Sequence, residues 1–278
     1  MAQNKTEQNW RLQSRELLQV ASRACDESRT ILNSYYGNLR KIDEKFQAGL
    51  VSEADRASET HISQALRQAF PGHRILGEEF GLSQIEKNSN GEFLWMIDPL
   101  DGTTNYIHQF PFFCISIGLE VDGELVLGVV DAPKLDLRFH AVKGEGAFVN
   151  GVPMTVSARG QFRDGLFATG FSSYDDRLGE QLMLVEQVTR EARGIRRAGA
   201  AALDLCFVAQ GVFDVFWEKS LAPWDTAAGA VIVREAGGKV TDMDGQSFTP
   251  RSASILAGNP VLHTEVLNRY ASVKASTR

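Results

Sequence analysis

Asp98 and Asp101 close the apolar run Phe93-Leu94-Trp95-Met96-Ile97 and stand three residues apart, on either side of Pro99-Leu100. The run reads as a buried strand, and strand ends that spill acids into a loop are frequent seats of chemistry. Pro99 fixes one backbone angle between the acids, and Gly102 permits one that other residues avoid. Both carboxylates and the Leu100 carbonyl can therefore be turned toward one point. Two carboxylates ~4 Å apart repel by roughly 4 kcal/mol at an effective dielectric near 20, so they either share a proton or neutralise a cation. Oxygen-only donors favour magnesium, manganese or calcium over zinc. The plain alternative is an Asx-type turn that uses Asp and Gly for geometry alone.

Two further segments carry acids at element ends. Gly77-Glu78-Glu79 follows the short apolar run Ile75-Leu76, and Pro223-Trp224-Asp225 precedes a small-residue helix over 226–236, placing Asp225 near a helix start. Together with Asp98-Pro99-Leu100-Asp101-Gly102-Thr103-Thr104-Asn105 and Trp224-Asp225-Thr226-Ala227-Ala228-Gly229, in this order and at this wide spacing, the set resembles the inositol monophosphatase family of magnesium-dependent phosphatases. Gly128-Val129-Val130, the Lys143 to Gly151 segment and Gly258-Asn259-Pro260 extend the likeness over nearly the whole chain.

The resemblance implies an α+β fold, the layered αβαβα sandwich of the inositol monophosphatase and fructose-1,6-bisphosphatase type. It also implies two or three magnesium ions, sensitivity to lithium and a homodimer. By the same likeness Glu78, Asp98 and the Leu100 carbonyl hold one ion, and Asp98, Asp101 and Asp225 a second. Glu78 and Thr103 orient the attacking water, the Gly102 and Thr103 amides take phosphate oxygens, and Asp101 and Asp225 border the substrate as well. Glu218, seven residues before Asp225, ends the run Phe213 to Glu218 where the family contacts substrate hydroxyls. A carboxylate that accepts two neighbouring hydroxyls suits a polyol.

Arg196-Arg197 precede Gly199-Ala200-Ala201-Ala202, whose small side chains would let a ligand approach the amides at a helix start. Arg196 is the candidate for a substrate anion or hydroxyl. Each assignment has a plain counterpart: loop capping for Thr103 and Thr104, a solvated strand end for Glu218, an exposed salt bridge for Arg196. Two departures from the family pattern stand out. Gly49 occupies a position that is usually Asp, with Ser52 where Thr is common, which bears on a mobile loop and on any third metal. Ala200 stands where Ser or Thr is frequent, which removes one hydroxyl contact to the substrate.

The remaining features bound the class. With 278 residues, 43% of them hydrophobic, the chain can build a large core. A net charge of -6, from 29 basic and 35 acidic residues, offers no general attraction for nucleic acid or an anionic membrane. Cys25, Cys114 and Cys206 are odd in number and lie in apolar sequence, so buried free thiols in a reducing, cytoplasmic setting are expected. The polar start, Met1 to Arg15, and the lack of any apolar run near ~20 residues argue against a membrane span.

Periodicity predicts helices over 9–36 and 55–70, then strands over 113–121, 124–130 and 137–142, with Asp122-Gly123 as a hairpin turn and 143–151 as a glycine-rich turn region. A second pattern follows: strand 165–169, helices 181–191 and 200–209, strand 213–218, helix 225–236, and strands 239–241 and 254–257. The chain divides into an N-terminal half, 1–155, with most metal ligands, and a C-terminal half, 156–278, that completes the site between them.

No P-loop, Gly-x-Ser-x-Gly or His-Glu-x-x-His pattern is present, and the spacing of Asp98 and Asp101 is wrong for an Asp-x-Asp phosphoenzyme. The leading expectation is a magnesium-dependent phosphomonoesterase acting on myo-inositol monophosphate. Histidinol phosphate, fructose 1,6-bisphosphate and a phosphoadenosine nucleotide are the alternative substrates, with choice among them placed in loops such as 171–178. A non-catalytic regulatory protein on the same fold is the alternative of a different class, disfavoured because all four metal acids are present.

Overall fold

Buried residues at three- and four-residue spacing, Leu17, Ala21, Ala24, Ser28 and Leu32, make α1 (Ala2–Tyr35) a helix with one face against the protein. The computed structural model describes residues 2–45, 49–83, 92–171 and 178–276. After α1, strands β1 (Ile42–Lys45) and β2 (Gly49–Ser52) pair antiparallel. Ser52 then caps α2 (Glu53–Ala69): its hydroxyl accepts the Ala54 amide while Asp55 accepts the Ser52 amide.

The first large sheet collects β3 (Arg74–Gly77), β4 (Gly81–Leu82), β5 (Phe93–Asp101), β6 (Cys114–Val121), β7 (Glu124–Ala132), β8 (Leu137–Val142), β9 (Gly146–Val149) and β10 (Val152–Met154), with the short α3 (Thr103–Ile107) between β5 and β6. Its order is β10-β9-β8-β7-β6-β5-β3-β4, antiparallel except where β3 runs parallel to β5. Asp122 and Gly123, both at positive φ, make the tight β6–β7 turn expected from their types.

Strand and helix then alternate through β11 (Leu166–Thr169), α4 (Leu178–Glu191), β12 (Gly194–Arg196), α5 (Ala201–Ala209), β13 (Val215–Lys219), α6 (Pro223–Glu235), β14 (Lys239–Thr241), β15 (Ser254–Gly258) and α7 (Pro260–Ser276). These five strands order as β12-β11-β13-β15-β14, the first three parallel. Helices α1 and α2 cover the outer face of the large sheet, α5 and α6 lie between the sheets, and α4 and α7 cover the far face of the small one. The result is the αβαβα sandwich. Among the described residues no helix is long and apolar enough to cross a membrane, and all three cysteines are buried and free.

Several elements differ from the sequence expectation. A strand, β9, runs inside the segment read as a turn region, because Phe139 to Val142 on β8 offers it a complete antiparallel partner. The β1–β2 hairpin, β12 and α7 were not anticipated. In α7 the signal is nonetheless visible in Leu262, Val266, Tyr270 and Val273, buried at helical spacing behind Pro260.

Glycine governs how closely α6 approaches the large sheet. Gly118 on β6 and Gly128 on β7 are register partners under α6. A Cβ on Gly118 would lie 2.7 Å from Ala227 Cβ and 2.9 Å from the Ala228 nitrogen, and one on Gly128 would collide with the Ala228 carbonyl. Because the obstacle at Gly128 is backbone, Gly128→Ala should force the helix outward. We expect a loss of about 1–3 kcal/mol in chemical denaturation, typical of overpacking, accompanied by weaker cation binding, since α6 carries Asp225. An unchanged denaturation midpoint would contradict this packing account.

Candidate active site

Asp98 and Asp101 belong to β5 itself rather than to a loop beyond it, and a β-bulge makes them converge. Asp98 pairs with Ser116 and Asp101 with Cys114, so β5 advances three residues while β6 advances two. In a regular strand residues three apart face opposite sides. The extra residue at Pro99-Leu100 brings both carboxylates to one side. Gly102 follows in the left-handed region at φ +89° and starts α3.

The other acids arrive from separate elements. Glu78 follows β3, and its amide donates to the Ile97 carbonyl at 3.2 Å, which sets it beside Asp98. Asp225 sits in the first turn of α6 behind Pro223 and folds back to accept the Ala222 amide at 2.7 Å. Asp98 and Asp225 are in hydrogen-bonding contact. Ser116, the β6 partner of Asp98, donates its hydroxyl to the Trp224 carbonyl at 3.1 Å and so ties the start of α6 to the sheet.

The start of α5 changes one sequence expectation. The Ala201 and Ala202 amides donate to Asp101 at 3.2 and 2.7 Å, so the helix N-terminus that Gly199, Ala200 and Ala201 were expected to open to a ligand is engaged by this carboxylate. Ala200 is buried and its side chain donates nothing. Asn105 donates to the carbonyls of Phe112 at 2.7 Å and Ala198 at 2.8 Å, which joins the α3 loop to the segment carrying Gly199.

Arg196 is likewise not drawn into the site. It is exposed, with Nη1 donating to the Ile195 carbonyl. Its neighbour Arg197 is the one whose charge reaches Glu218 and Asp204, and its Nη2 donates to the Phe171 carbonyl at 3.3 Å. Glu218 lies one residue before the end of β13, with its carboxylate packed against Gly170, where a Cβ would collide with it. From 172 to 177, the loop assigned to substrate choice lies outside the described residues.

Two further residues belong to the site without having been singled out. Asp55, at the start of α2, accepts the Thr103 hydroxyl at 3.1 Å; that hydroxyl also lies 3.1 Å from the Leu100 carbonyl. The signal for Asp55 was its place in the Val51-Ser52-Glu53-Ala54-Asp55 segment. Asp204 on α5 is buried, and its Oδ1 has no hydrogen-bond partner. A lone acid between Leu203 and Leu205 in an apolar helix is an anomaly that burial statistics flag.

Same-sign charge dominates the electrostatics. Burial, with Glu78 the strongest neighbouring charge, holds the Asp98 carboxyl well above the usual carboxylate range. Burial pushes Asp101 up to about 6 despite the amides that favour its charge, and Asp225 up to about 8, with Asp101 adding to the effect. Glu218 reaches about 8 through burial and then the charge of Asp225. Asp204 is raised by burial, then by Asp101 and Glu218. Among the described residues no Lys or Arg forms an ion pair with Asp98, Asp101 or Asp225.

This donor set fits a hard divalent cation, because oxygen donors converge without a side-chain counter-ion. Among the described residues no three acidic, histidine or cysteine side chains close around one point, so an ion there would complete its shell with water and backbone carbonyl. A cavity of about 780 Å³ lies elsewhere, between the start of α1, the β6–β7 turn and Phe248 to Pro250.

Comparison with known proteins gives the arrangement its lineage. The model of the inositol monophosphatase family matches residues 13–275. The chain belongs to the inositol monophosphatase family. The Nus factor SuhB of Pseudomonas aeruginosa is 45% identical over 222 residues, 78% of this chain and 81% of that protein. An inositol-1-monophosphatase of Rhizobium meliloti is 40% identical over 246 residues, 87% of this chain and 91% of that one. The crystal structure of the extragenic suppressor protein suhB from Bartonella henselae superposes with a TM-score of 0.87 at 40% identity, covering 92% of this chain and 98% of that one.

For an inositol monophosphatase fold with these acids, stability and cation binding are linked through pH. In the unfolded chain the carboxyls ionise near 4, whereas folded Asp101 and Asp225 do so only at about 6 and 8. The folded state therefore retains protons that the unfolded state has lost, and stability falls as pH rises through this window. Burial lowers the pKa of His73 and His263 to about 4, which acts oppositely, but only below about 6.5. Metal-free protein should thus melt at lower temperature at pH 8.5 than at 6.5, and magnesium should raise the melting temperature more at 8.5. Equal magnesium stabilisation at both values would contradict the linkage.

Proposed function

We propose that this protein is a magnesium-dependent phosphomonoesterase that hydrolyses myo-inositol monophosphate to inositol and phosphate. The observation that carries the reading is the cluster of Asp98, Asp101 and Asp225, carboxylates whose charges act on one another and that form no ion pair with Lys or Arg among the described residues, beside Glu78 and Thr103. Glu78, Asp98 and the Leu100 carbonyl would hold one ion, and Asp98, Asp101 and Asp225 a second. Bound there, the ions supply Lewis acidity toward water and toward the departing ester oxygen.

The chain's own groups do the positioning. The Thr103 hydroxyl donates its hydrogen bond to Asp55, which leaves a Thr103 Oγ1 lone pair to accept a hydrogen bond from water and aim that water at phosphorus. The Gly102 and Thr103 amides, at the open start of α3, take phosphate oxygens. The water oxygen bonds to phosphorus as the ester P–O bond breaks; one of its protons stays on the phosphate and the other passes to solvent, while the alcohol oxygen leaves with a proton taken from solvent. Glu218 accepts substrate hydroxyls, and Arg197, replacing Arg196 in this role, offers the positive charge nearest to it. Family likeness supports a homodimer.

Phosphate release from a panel of esters, with and without magnesium, tests the reading: inositol monophosphate should exceed histidinol phosphate, fructose 1,6-bisphosphate and a phosphoadenosine nucleotide. Asp98→Asn should cost on the order of a hundredfold or more in turnover, since metal charge stabilisation is worth several kcal/mol, while circular dichroism stays native. Lithium should slow the wild-type enzyme. Near wild-type turnover of Asp98→Asn at saturating magnesium would sink the metal assignment.

Glu218→Gln separates polyol recognition from chemistry. Losing a hydrogen bond to a charged group, worth roughly 1.5–3 kcal/mol, should lower kcat/KM for inositol phosphate about ten- to a hundredfold. Hydrolysis of an aryl phosphate, which has no hydroxyls to recognise, should change much less. Equal losses on both substrates would make Glu218 a structural group.

The likeness to the Nus factor SuhB, at higher identity than the Rhizobium phosphatase, favours a second reading in which the chain also acts as a Nus factor. An Asp98→Asn chain that restores the phenotype of a strain lacking the protein would establish a role independent of hydrolysis; failure to do so would leave hydrolysis as the role that matters.

A further inference from the structure

Three carboxyl and hydroxyl groups one helical turn apart on α2 grip the three segments that build the site. Asp55 holds Thr103; Ser58 Oγ donates to the Pro99 carbonyl at 3.0 Å, between the two β5 acids; Glu59 accepts the Glu79 amide at 2.7 Å and the Phe80 amide at 3.1 Å. All three are buried. Positions 55, 58 and 59 share one face of a helix, so a single rigid element references these three segments at once.

Glu59 is the member with no part in the proposed chemistry. Each of its oxygens takes one amide of the segment just after Glu78, and its carboxylate fills the space where a Cβ on Gly77 would collide. Strand β5 holds Glu78 from the other side, through the Ile97 carbonyl. The Glu78 backbone is thus clamped between a strand and a carboxylate that never reaches the cation.

We propose that Glu59 is the positioning residue for Glu78 and sets the cation affinity of the site through the Glu79 and Phe80 amides. The inference rests on the reading of Glu78 as a metal ligand. Groups that orient ligands from outside the first coordination sphere are worth about 10–100-fold in metal affinity.

Glu59→Gln keeps the shape but leaves one acceptor oxygen for two amides, and turns an NH2 toward the other. In the metal-free protein, hydrogen exchange at the Glu79 or Phe80 amide should quicken by about tenfold or more, with the chemical denaturation curve little moved. Manganese binding, followed by electron paramagnetic resonance on the same folded protein, should weaken about tenfold or more. Glu78→Gln is measured beside it. If Glu78→Gln weakens manganese binding and Glu59→Gln does not, the positioning role is overturned while the metal site stands. If neither variant weakens it, the metal reading fails and this inference with it. Should Glu59→Gln fail to fold, Glu59→Asp retains both acceptors but withdraws them by one methylene; its manganese affinity should fall in the same sense, and an unchanged value would overturn the proposal.

Discussion

Buried negative charge without a side-chain counter-ion is the constraint around which the rest of the structure is arranged. Asp98 and Asp101 are buried and Asp225 partly so, close enough that their charges act on one another's ionisation, with Glu78 adding to the field. Isolated in an apolar interior such groups neutralise themselves, and here protons do so in the metal-free state. A divalent ion bound there, as proposed, would replace those protons with a permanent charge. The tension in the metal-free protein is therefore the same quantity as the attraction for the ion, seen from the other side of a linkage.

Keeping such a cluster together requires backbone that cannot relax away from it. The bulge in β5 turns both acids to one side, and β6 fixes the register on either side of the extra residue. Helix α6 is brought down on Gly118 and Gly128 until Asp225 meets Asp98, and the Ser116 hydroxyl ties the Trp224 carbonyl to the sheet. Helix α5 contributes the Ala201 and Ala202 amides, which hold Asp101 in its ionised form more easily than burial alone would allow. Its N-terminus is thus engaged by Asp101, whereas the sequence suggests an open anion site there. Both readings invoke the same helix-end chemistry; only the fold decides which carboxylate arrives first.

How much of this was legible in the sequence follows from the range of each signal. Glu78, Asp98, Asp101 and Asp225 stand at the ends of apolar runs in an ordered set, and the Asp122-Gly123 turn and most strands of the large sheet are local patterns. The αβαβα layering came from likeness to a family, since no local pattern states which helices end up between two sheets. The bulge was invisible because Pro99 and Gly102 suggest a turn, while its cause is a register shift against β6, far along the chain. Arg196 and Arg197 are adjacent, chemically identical and both exposed, so only the direction each takes at the end of β12 decides which charge acts on Glu218. Asp55 and Glu59 read as ordinary polar positions of an amphipathic helix; their burial depends on loops that lie 20 residues or more further along the chain.

The division of labour between the sheets has a consequence for how substrate choice can change. The proposed cation ligands come from β3, β5 and the start of α6, all referenced to the large sheet, whereas Glu218, Gly170 and Arg197 stand near the ends of β13, β11 and β12 in the small one. Burial makes the first group intolerant, since any displacement leaves an uncompensated charge. In the proposed reading the second group would meet the organic part of the ester, where a lost hydroxyl contact such as the one absent at Ala200 would cost affinity for one alcohol and leave phosphate handling intact. Asp204 sits between the two sets, raised by Asp101 on one side and Glu218 on the other. A change at that position would be felt by both groups at once, which makes it the point where recognition of the alcohol and retention of the cation are least separable.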